Sequence, residues 1–283
     1  MKVLLLAFIG IAVVVALAVL LGSARWRSRS AALHARLAAA RRSAAPRTFD
    51  ARELADQPAP VQRFFRAALS EGQPIVTAIH IEHTGTINMS EDGEQWKPFT
   101  SRQRVVVERP GFVWDARIPM LPGFVAHVHD AYVAGEGILN AALWGLVPLA
   151  DMRGTREIAE GELMRFFAEA AWYPTALLPS HGVRWQAVDD ASADATLTDG
   201  ETTVTLRFRF GADGLVETVR AEARGRTVRG VSAPTPWEGR WSNYQRRDGM
   251  MVPLDGEVAW VLPEGAKPYW RGRIVQVQYA FGE

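Results

Sequence analysis

Hydrophobic positions change their rhythm twice along this chain. They begin as an unbroken run, Val3 to Leu21, 19 apolar residues with glycine included. As a helix that run spans about 29 Å, close to the hydrocarbon thickness of a bilayer. From residue 60 to 69 the pattern turns amphipathic, with Val61, Phe64, Phe65 and Leu69 on one side of a short predicted helix. From residue 75 the period becomes two. In "IVTAIHIEHTGTIN" Ile75, Ile79, Ile81 and Ile87 share one face, while Glu82, Thr84 and Asn88 share the other. "GFVWDARI" sets Phe112, Trp114, Ala116 and Ile118 against Asp115 and Arg117. "TTVTLRFRF" sets Val204, Leu206, Phe208 and Phe210 against Thr205, Arg207 and Arg209. Further strands are predicted over 101–108, 124–133, 193–198, 215–224, 237–246, 256–262 and 270–281. Turn signals such as Glu91-Asp92-Gly93, Arg109-Pro110-Gly111 and Ala212-Asp213-Gly214 separate them.

Alternation with one polar face marks an antiparallel sheet packed on one side only. About ten such strands make a large curved sheet, an open or half barrel, and something must cover its apolar face. Two central stretches are expected to do so as helices. "GILNAALWGLVPLADM", 137–152, is nearly all apolar and too short to cross a bilayer. The other runs from Thr155 to Ala171 and carries Glu162, Arg165 and Glu169 at helical spacing. The expected fold is therefore α+β, a large curved antiparallel sheet closed by two or three helices, preceded by one N-terminal transmembrane helix. The expected division is 1–22 anchor, 23–57 basic juxtamembrane helix and linker, and 58–283 one globular domain.

Charge gives the anchor a direction. Arg25, Arg27, Arg29, Arg36, Arg41 and Arg42 follow the apolar run, with only Lys2 and the terminal amine before it. The positive-inside rule then places the domain on the cytoplasmic side of the inner membrane, with the opposite side and cleavage at Gly22-Ser23-Ala24 as the alternatives. The Ala/Arg stretch 24–45 reads as a solvated stalk. Net charge is +1, so no global field draws the chain to nucleic acid. Arg220, Arg224, Arg226 and Arg229 lack interleaved aromatics and read as a solvated strand face.

Composition then removes chemistries. The chain has no cysteine, which excludes disulfides, thiolate metal sites and a Cys nucleophile. G-x-S-x-G, H-E-x-x-H, G-x-x-x-x-G-K-[ST] and G-x-G-x-x-G are all missing, so no catalytic residue, metal ligand or cofactor is assigned. His127 and His129 share one side of a strand, but out of phase with Phe124, Val128 and Tyr132, which predicts a solvent-facing pair. His83 sits in the apolar phase and reads as a core histidine. Glu162, Arg165 and Glu169 are expected to form a structural ion triad, both carboxylates flanking one guanidinium. The uncharged run Ala170 to Ser180 must turn at Trp172-Tyr173-Pro174, because proline disfavours helix in the preceding residue. It is expected to pack as a loop closing one end of the sheet, with Trp172 on a cavity wall.

"PGFVWDARI", "DAYVAGEGIL", "GELMRFFAEAAWYPTALLPS", "PWEGRWSNY", "GMMVPLDGEVAW" and "YWRGRI" form an ordered series that resembles an uncharacterised bacterial family, a domain of unknown function. The resemblance covers the chain from about residue 75 onwards and implies no chemistry. In architecture the expected fold is also similar to the lipoprotein-carrier half barrels, in which helices close an apolar cavity. Three functions follow as expectations. One is a membrane-anchored carrier or binding domain for a lipid or acyl chain, using Trp114, Tyr132, Trp144, Trp172, Tyr173 and Leu177. A second is a scaffold for another membrane protein. The third is a hydrolase using Glu162 or Glu169 with Asp130 or Asp189.

Overall fold

A computed structural model describes residues 1–283 except 44, 91, 92, 229 and 283. Among the described residues thirteen strands form one sheet, two meanders joined side by side, in which each strand pairs antiparallel with its spatial neighbours. They are β1 (Ala78–Asn88), β2 (Trp96–Val106), β3 (Gly111–Leu121), β4 (Phe124–Val133), β5 (Glu136–Leu143), β6 (Val147–Arg153), β7 (Arg184–Asp189), β8 (Ser192–Asp199), β9 (Thr202–Phe210), β10 (Val216–Val228), β11 (Val231–Arg247), β12 (Met250–Leu262) and β13 (Gly265–Ala280). The spatial order is β6-β5-β4-β3-β2-β1-β13-β12-β11-β10-β9-β8-β7, so the first and last strands join at the centre and the two edges are β6 and β7. The sheet arches around its contents without closing.

Among the described residues three α-helices accompany it: α1 (Lys2–Ala40), α2 (Ala59–Ala68) and α3 (Arg156–Ala168). Thr155 caps α3 by accepting from the Ile158 amide, which satisfies one of the free N–H groups of its first turn. α3 packs inside the arch against β4, β5, β9 and β10, and α2 covers β7, β8 and β12. After α3 the chain continues as three single-turn helices, Glu169–Trp172, Pro174–Leu177 and Pro179–His181, broken at the prolines as their sequence demands. Trp172, Tyr173, Leu177 and Leu178 are buried, so the uncharged run fills the core. Strand alternation behaves as read: Phe112, Trp114, Ala116 and Ile118, and likewise Val204, Leu206, Phe208 and Phe210, face the enclosed core.

Two expectations are corrected. Residues 137–152 are the β5–β6 hairpin, turning at Trp144 and Gly145, and not a helix. With β7, entered just after Val183, that hairpin raises the strands to thirteen. The basic stretch after the apolar run is helical, as expected, but it is not a free stalk: the second half of α1 lies on the convex face of β2, β3 and β4. Trp26, Ser30, Leu33 and Leu37, spaced four, three and four, make the contact stripe, and Leu37 joins Val106, Val113, Ala131, Val133 and Ile138 in a second small core.

Candidate functional site

Between α3 and one end of the arch lies a cavity of about 90 Å³, walled mainly by Trp114, Trp237, Trp241, Trp270, Tyr269 and Val258. Its polar floor is Asp130 on β4, Arg165 and Glu169 at the end of α3, and Arg224 on β10.

Two β-bulges build it. Ala221 pairs with Trp237, but Arg224 rather than Ala223 pairs with Thr235. The extra residue flips Arg224 from the solvent face to the interior, where it is buried. On β13, Val258 pairs with Trp270 and Ala259 with Pro268, which leaves Tyr269 as the inserted residue. Tyr269 and Trp270 can therefore both reach the same cavity although they are consecutive. Glycines make room for the indoles. A Cβ on Gly256 would strike the Trp241 ring, and one on Gly272 would strike the Trp270 ring. The rings thus lie flat along the inner surface of the sheet.

Electrostatically the floor is a closed network. Arg165 donates from Nε to Glu169 Oε1 at 2.8 Å and pairs through Nη1 with Asp130. Gln103 Nε2 donates to Glu169 Oε2 at 2.6 Å. The Arg165 guanidinium also stacks near Phe112 and Trp114, 4.9 and 5.0 Å from their ring centres. Burial works against its charge, but the carboxylates of Glu169 and Asp130 outweigh burial and raise its pKa. Arg224 lies 5.0 Å over Trp237 and 3.7 Å from Glu162.

The structure corrects the expected triad. Glu169 pairs with Arg165, yet the second carboxylate on that guanidinium is Asp130, from a strand, and Glu162 turns to Arg224. Burial pushes Glu162 well above the usual carboxylate range, and the Asp130 charge adds to this against the pull of Arg224 and Arg165. With Glu162 holding its proton, two guanidinium groups face two carboxylates. Glu162 Oε2, Asp130 Oδ1 and the indole nitrogens of Trp114 and Trp241 are buried with no partner. Such atoms are costly to leave bare.

The expected ligand-binding set is divided among four places. Trp114 is on the cavity wall. Trp172 is not: it packs in the core against His83 and Trp241, with ring centres 4.9 and 5.0 Å away. Tyr173 donates to the Phe166 carbonyl at 2.6 Å, and the Leu177 carbonyl accepts from Trp185 Nε1 at 3.0 Å, so both are built into the core. Tyr132 is buried elsewhere, its hydroxyl donating to Asp199 at 3.0 Å. Trp144 lies outside the arch altogether, stacked on Phe124 with ring centres 4.7 Å apart. Arg224, Trp237, Trp241, Tyr269 and Trp270 were absent from that set. The tryptophans and glycines of "WEGRW", "LDGEV" and "WRGR" are a sequence signal for the three tryptophans but not for Arg224 or Tyr269.

The histidine pair is also corrected. His129 is 1% exposed, because α1 covers it. Trp26 stacks on its ring with centres 3.9 Å apart, and Ser30 Oγ lies 2.7 Å from Nε2 and donates to Asp115 at 2.6 Å. His127 lies beside the same tryptophan, 5.4 Å between ring centres. Ser30 and Asp115 both meet the Nε2 side of His129, so the group is a latch and not a nucleophile–base–orienter relay. Asp189, at the end of β7, accepts from the Ala191 amide at the surface. His83 is buried 3.4 Å from Ser101 Oγ, and burial depresses its pKa to about 3. Among the described residues no group of three His, Asp or Glu converges as a metal site.

No curated protein matches the chain. Among solved structures, a LolA superfamily protein of Nitrosomonas europaea is similar at 10% identity, with 76% of this chain and 91% of that chain covered and a TM-score of 0.39. A β-barrel-like protein of domain of unknown function DUF1849 from Brucella abortus is similar at 8% identity, covering 73% and 99%, with a TM-score of 0.29. A family model matches residues 55–279, the whole arch with α2 and α3, and by that match the chain belongs to the family of unknown function DUF6920.

Proposed function

We propose that the chain is a membrane-anchored binding module whose arch takes an apolar ligand, or the apolar end of one, into the indole-walled cavity. The observation that carries this reading is the wall itself. Four tryptophans and a tyrosine border empty space, although Trp270 also stacks on Phe99 and Tyr269 on Trp260, while the rest of the arch is filled by α2, α3 and the 169–181 turns. Aromatic walls with a few fixed polar groups are the usual make-up of a small-ligand site. The unpartnered indole N–H groups of Trp114 and Trp241 would donate to an acceptor on the ligand.

Size limits the ligand. About 90 Å³ holds a few waters or the end of an acyl chain. A whole lipid would enter only if the β10–β11 and β12–β13 hairpins swing outward. The hydrolytic reading finds less support. Asp130 and Glu169 line the cavity but are clamped by Arg165, and Glu162, the carboxyl with the raised pKa, is not part of the lining.

Anchoring rests on the first half of α1. Among the described residues it is the one helix long and apolar enough to cross a membrane, and its apolar window is not buried in the protein. The candidate cleavage tripeptide lies inside the continuous helix, with Gly22 buried against Trp144 and Leu146. This favours retention of the segment over its removal.

Native mass spectrometry of the full chain, purified in mild detergent, tests the reading. The expected result is a copurifying adduct that is lost or reduced in Trp237→Ala, with the fold retained by circular dichroism. A wild-type chain that carries no adduct, and takes none up when incubated with short-chain fatty acid, sinks it.

A further inference from the structure

The uncharged hairpins at one end of the sheet are unused by the cavity. Residues 118–126 hold no charged side chain, and neither do residues 138–150. Their tips form one unit. The Trp144 amide donates to the Val125 carbonyl at 2.8 Å, Trp144 stacks on Phe124, and its indole N–H donates to the Gly123 carbonyl at 2.7 Å. Around that anchor point large apolar side chains stand in the open: Leu121 is 64% exposed, Val147 52% and Leu149 53%. A soluble surface rarely leaves so continuous an apolar patch in water.

The position of α1 says what covers it. Gly22, at the end of the apolar run, packs so closely on the hairpin turn that a Cβ would strike the Trp144 carbonyl and the Leu146 side chain. Further up, Trp26 lies beside His127, which pairs with Arg117. Leu121 pairs with Phe124 across a bulge, three residues nearer the tip than His127 and about 10 Å along the strand. On the helix that distance is about seven residues, which brings Leu121 level with roughly residue 19 of the apolar run. Charges begin again just above: Arg25 and Arg27 on α1, Arg117 on β3, Asp151 and Arg153 on β6.

We propose that the β3–β4 and β5–β6 hairpin tips insert into the bilayer interface beside α1, seating the end of the arch on the lipid. The inference rests on residues 3–21 spanning the membrane. If they do, the tips reach the depth of the helix's last apolar turns and meet lipid, with Trp144 and Phe124 at the level of the headgroups where aromatic belts sit. The occupant is the bilayer itself, because the patch is continuous with the spanning helix and no charge interrupts it.

The absence of native cysteine makes the test direct, since each single-cysteine variant carries one label. Full-length chains bearing an environment-sensitive fluorophore at Leu121→Cys, Leu149→Cys, Val13→Cys or Val188→Cys are placed in palmitoyl-oleoyl phosphatidylcholine nanodiscs. Val188 on β7 is an exposed apolar control on the opposite edge of the sheet. The expected result is blue-shifted emission, and quenching by a nitroxide high on the acyl chain, at residues 13, 121 and 149 but not at 188. Quenching at residue 13 with water-like emission at 121 and 149 overturns insertion of the tips and leaves the anchor standing. Water-like emission at residue 13 as well overturns the anchor and tip insertion together. A tip that is blue-shifted but unquenched is covered by protein, and that also overturns the proposal.

Discussion

Replacing Arg165 with alanine tests whether the floor of the cavity is held together by charge. The side chain is 13% exposed and pairs with Asp130 and Glu169, themselves 17% and 10% exposed. Removing it leaves the Asp130 and Glu169 carboxylates inside the arch without their paired cation, Arg224 being the one guanidinium left among the described cavity-lining residues. Losing one partner of a buried pair costs about 3–5 kcal/mol, a large share of the roughly 5–15 kcal/mol that holds a domain together. For a domain of this size each kcal/mol moves the midpoint by about 2–4 °C, so the expected fall is roughly 6–20 °C by differential scanning calorimetry of the full chain in detergent. The alternative cause is packing, because the guanidinium also stacks on Phe112 and Trp114. Arg165→Met combined with Asp130→Asn and Glu169→Gln separates the two. That triple variant keeps volume and removes the orphaned charges, so it should recover most of the loss. A midpoint no higher than that of Arg165→Met alone would refute the electrostatic argument and assign the cost to the lost stacking.

Two buried groups should tilt stability in opposite directions with pH. Glu162 keeps its proton to higher pH folded than unfolded, so its contribution is complete below about 4.5 and is lost as pH rises through its raised value. Glu162→Gln should flatten that loss in urea titrations run from acid to neutral pH. His83 behaves conversely: its pKa falls from 6.5 to about 3, so its contribution is present above 6.5 and is lost as pH drops towards 3. At most about 4–5 kcal/mol is at stake, and His83→Gln should reduce the acid sensitivity. Gly272→Ala forces a Cβ into the Trp270 ring and should cost about 1–3 kcal/mol while shifting tryptophan fluorescence. Trp26→Ala should free the second half of α1, read as faster tryptic cleavage after Arg27 and Arg29 with the arch's melting midpoint little changed.

The strands were legible wherever one face met the core and the other met water. β1 and β9 show period two because one face is buried and the other polar, and β3 keeps it because Asp115 and Arg117 mark its outer face even where α1 covers Val113. The β5–β6 hairpin hid itself because neither face is polar. The inner side of β5 meets α3, its outer side joins Leu37 in the small convex core, and β6 exposes Val147 and Leu149. With apolar residues on both faces the alternation disappears, and a run of 16 residues then reads as a buried helix. Its turn signal was present in Trp144-Gly145, both at positive φ, but a single Trp-Gly step is weak against so long an apolar run. The α1 stripe was legible too, in the spacing of Trp26, Ser30, Leu33 and Leu37, but the surrounding arginines dominate that stretch.

The candidate site was harder to read for a different reason. Its charges come from β4, α3 and β10, and its walls from β1, β3, β11, β12 and β13, so no local spacing connects them. Helical spacing correctly sets Glu169 against Arg165, four residues apart, because both lie on one element. It cannot show that a strand brings Asp130 to the same guanidinium and so turns Glu162 to a different partner. Nor can alternation find Arg224, since strict period two from Val219 and Ala221 points Ala223 inward and Arg224 outward. One inserted residue reverses that phase, and here it converts a surface arginine into the cation above Trp237. The bulges at Arg224 and Tyr269 therefore matter beyond local geometry. Without them the same strands would present Ala223 and Pro268 to the interior, and the arch would close on a plain apolar core. With them it keeps an aromatic cavity whose floor holds matched charges.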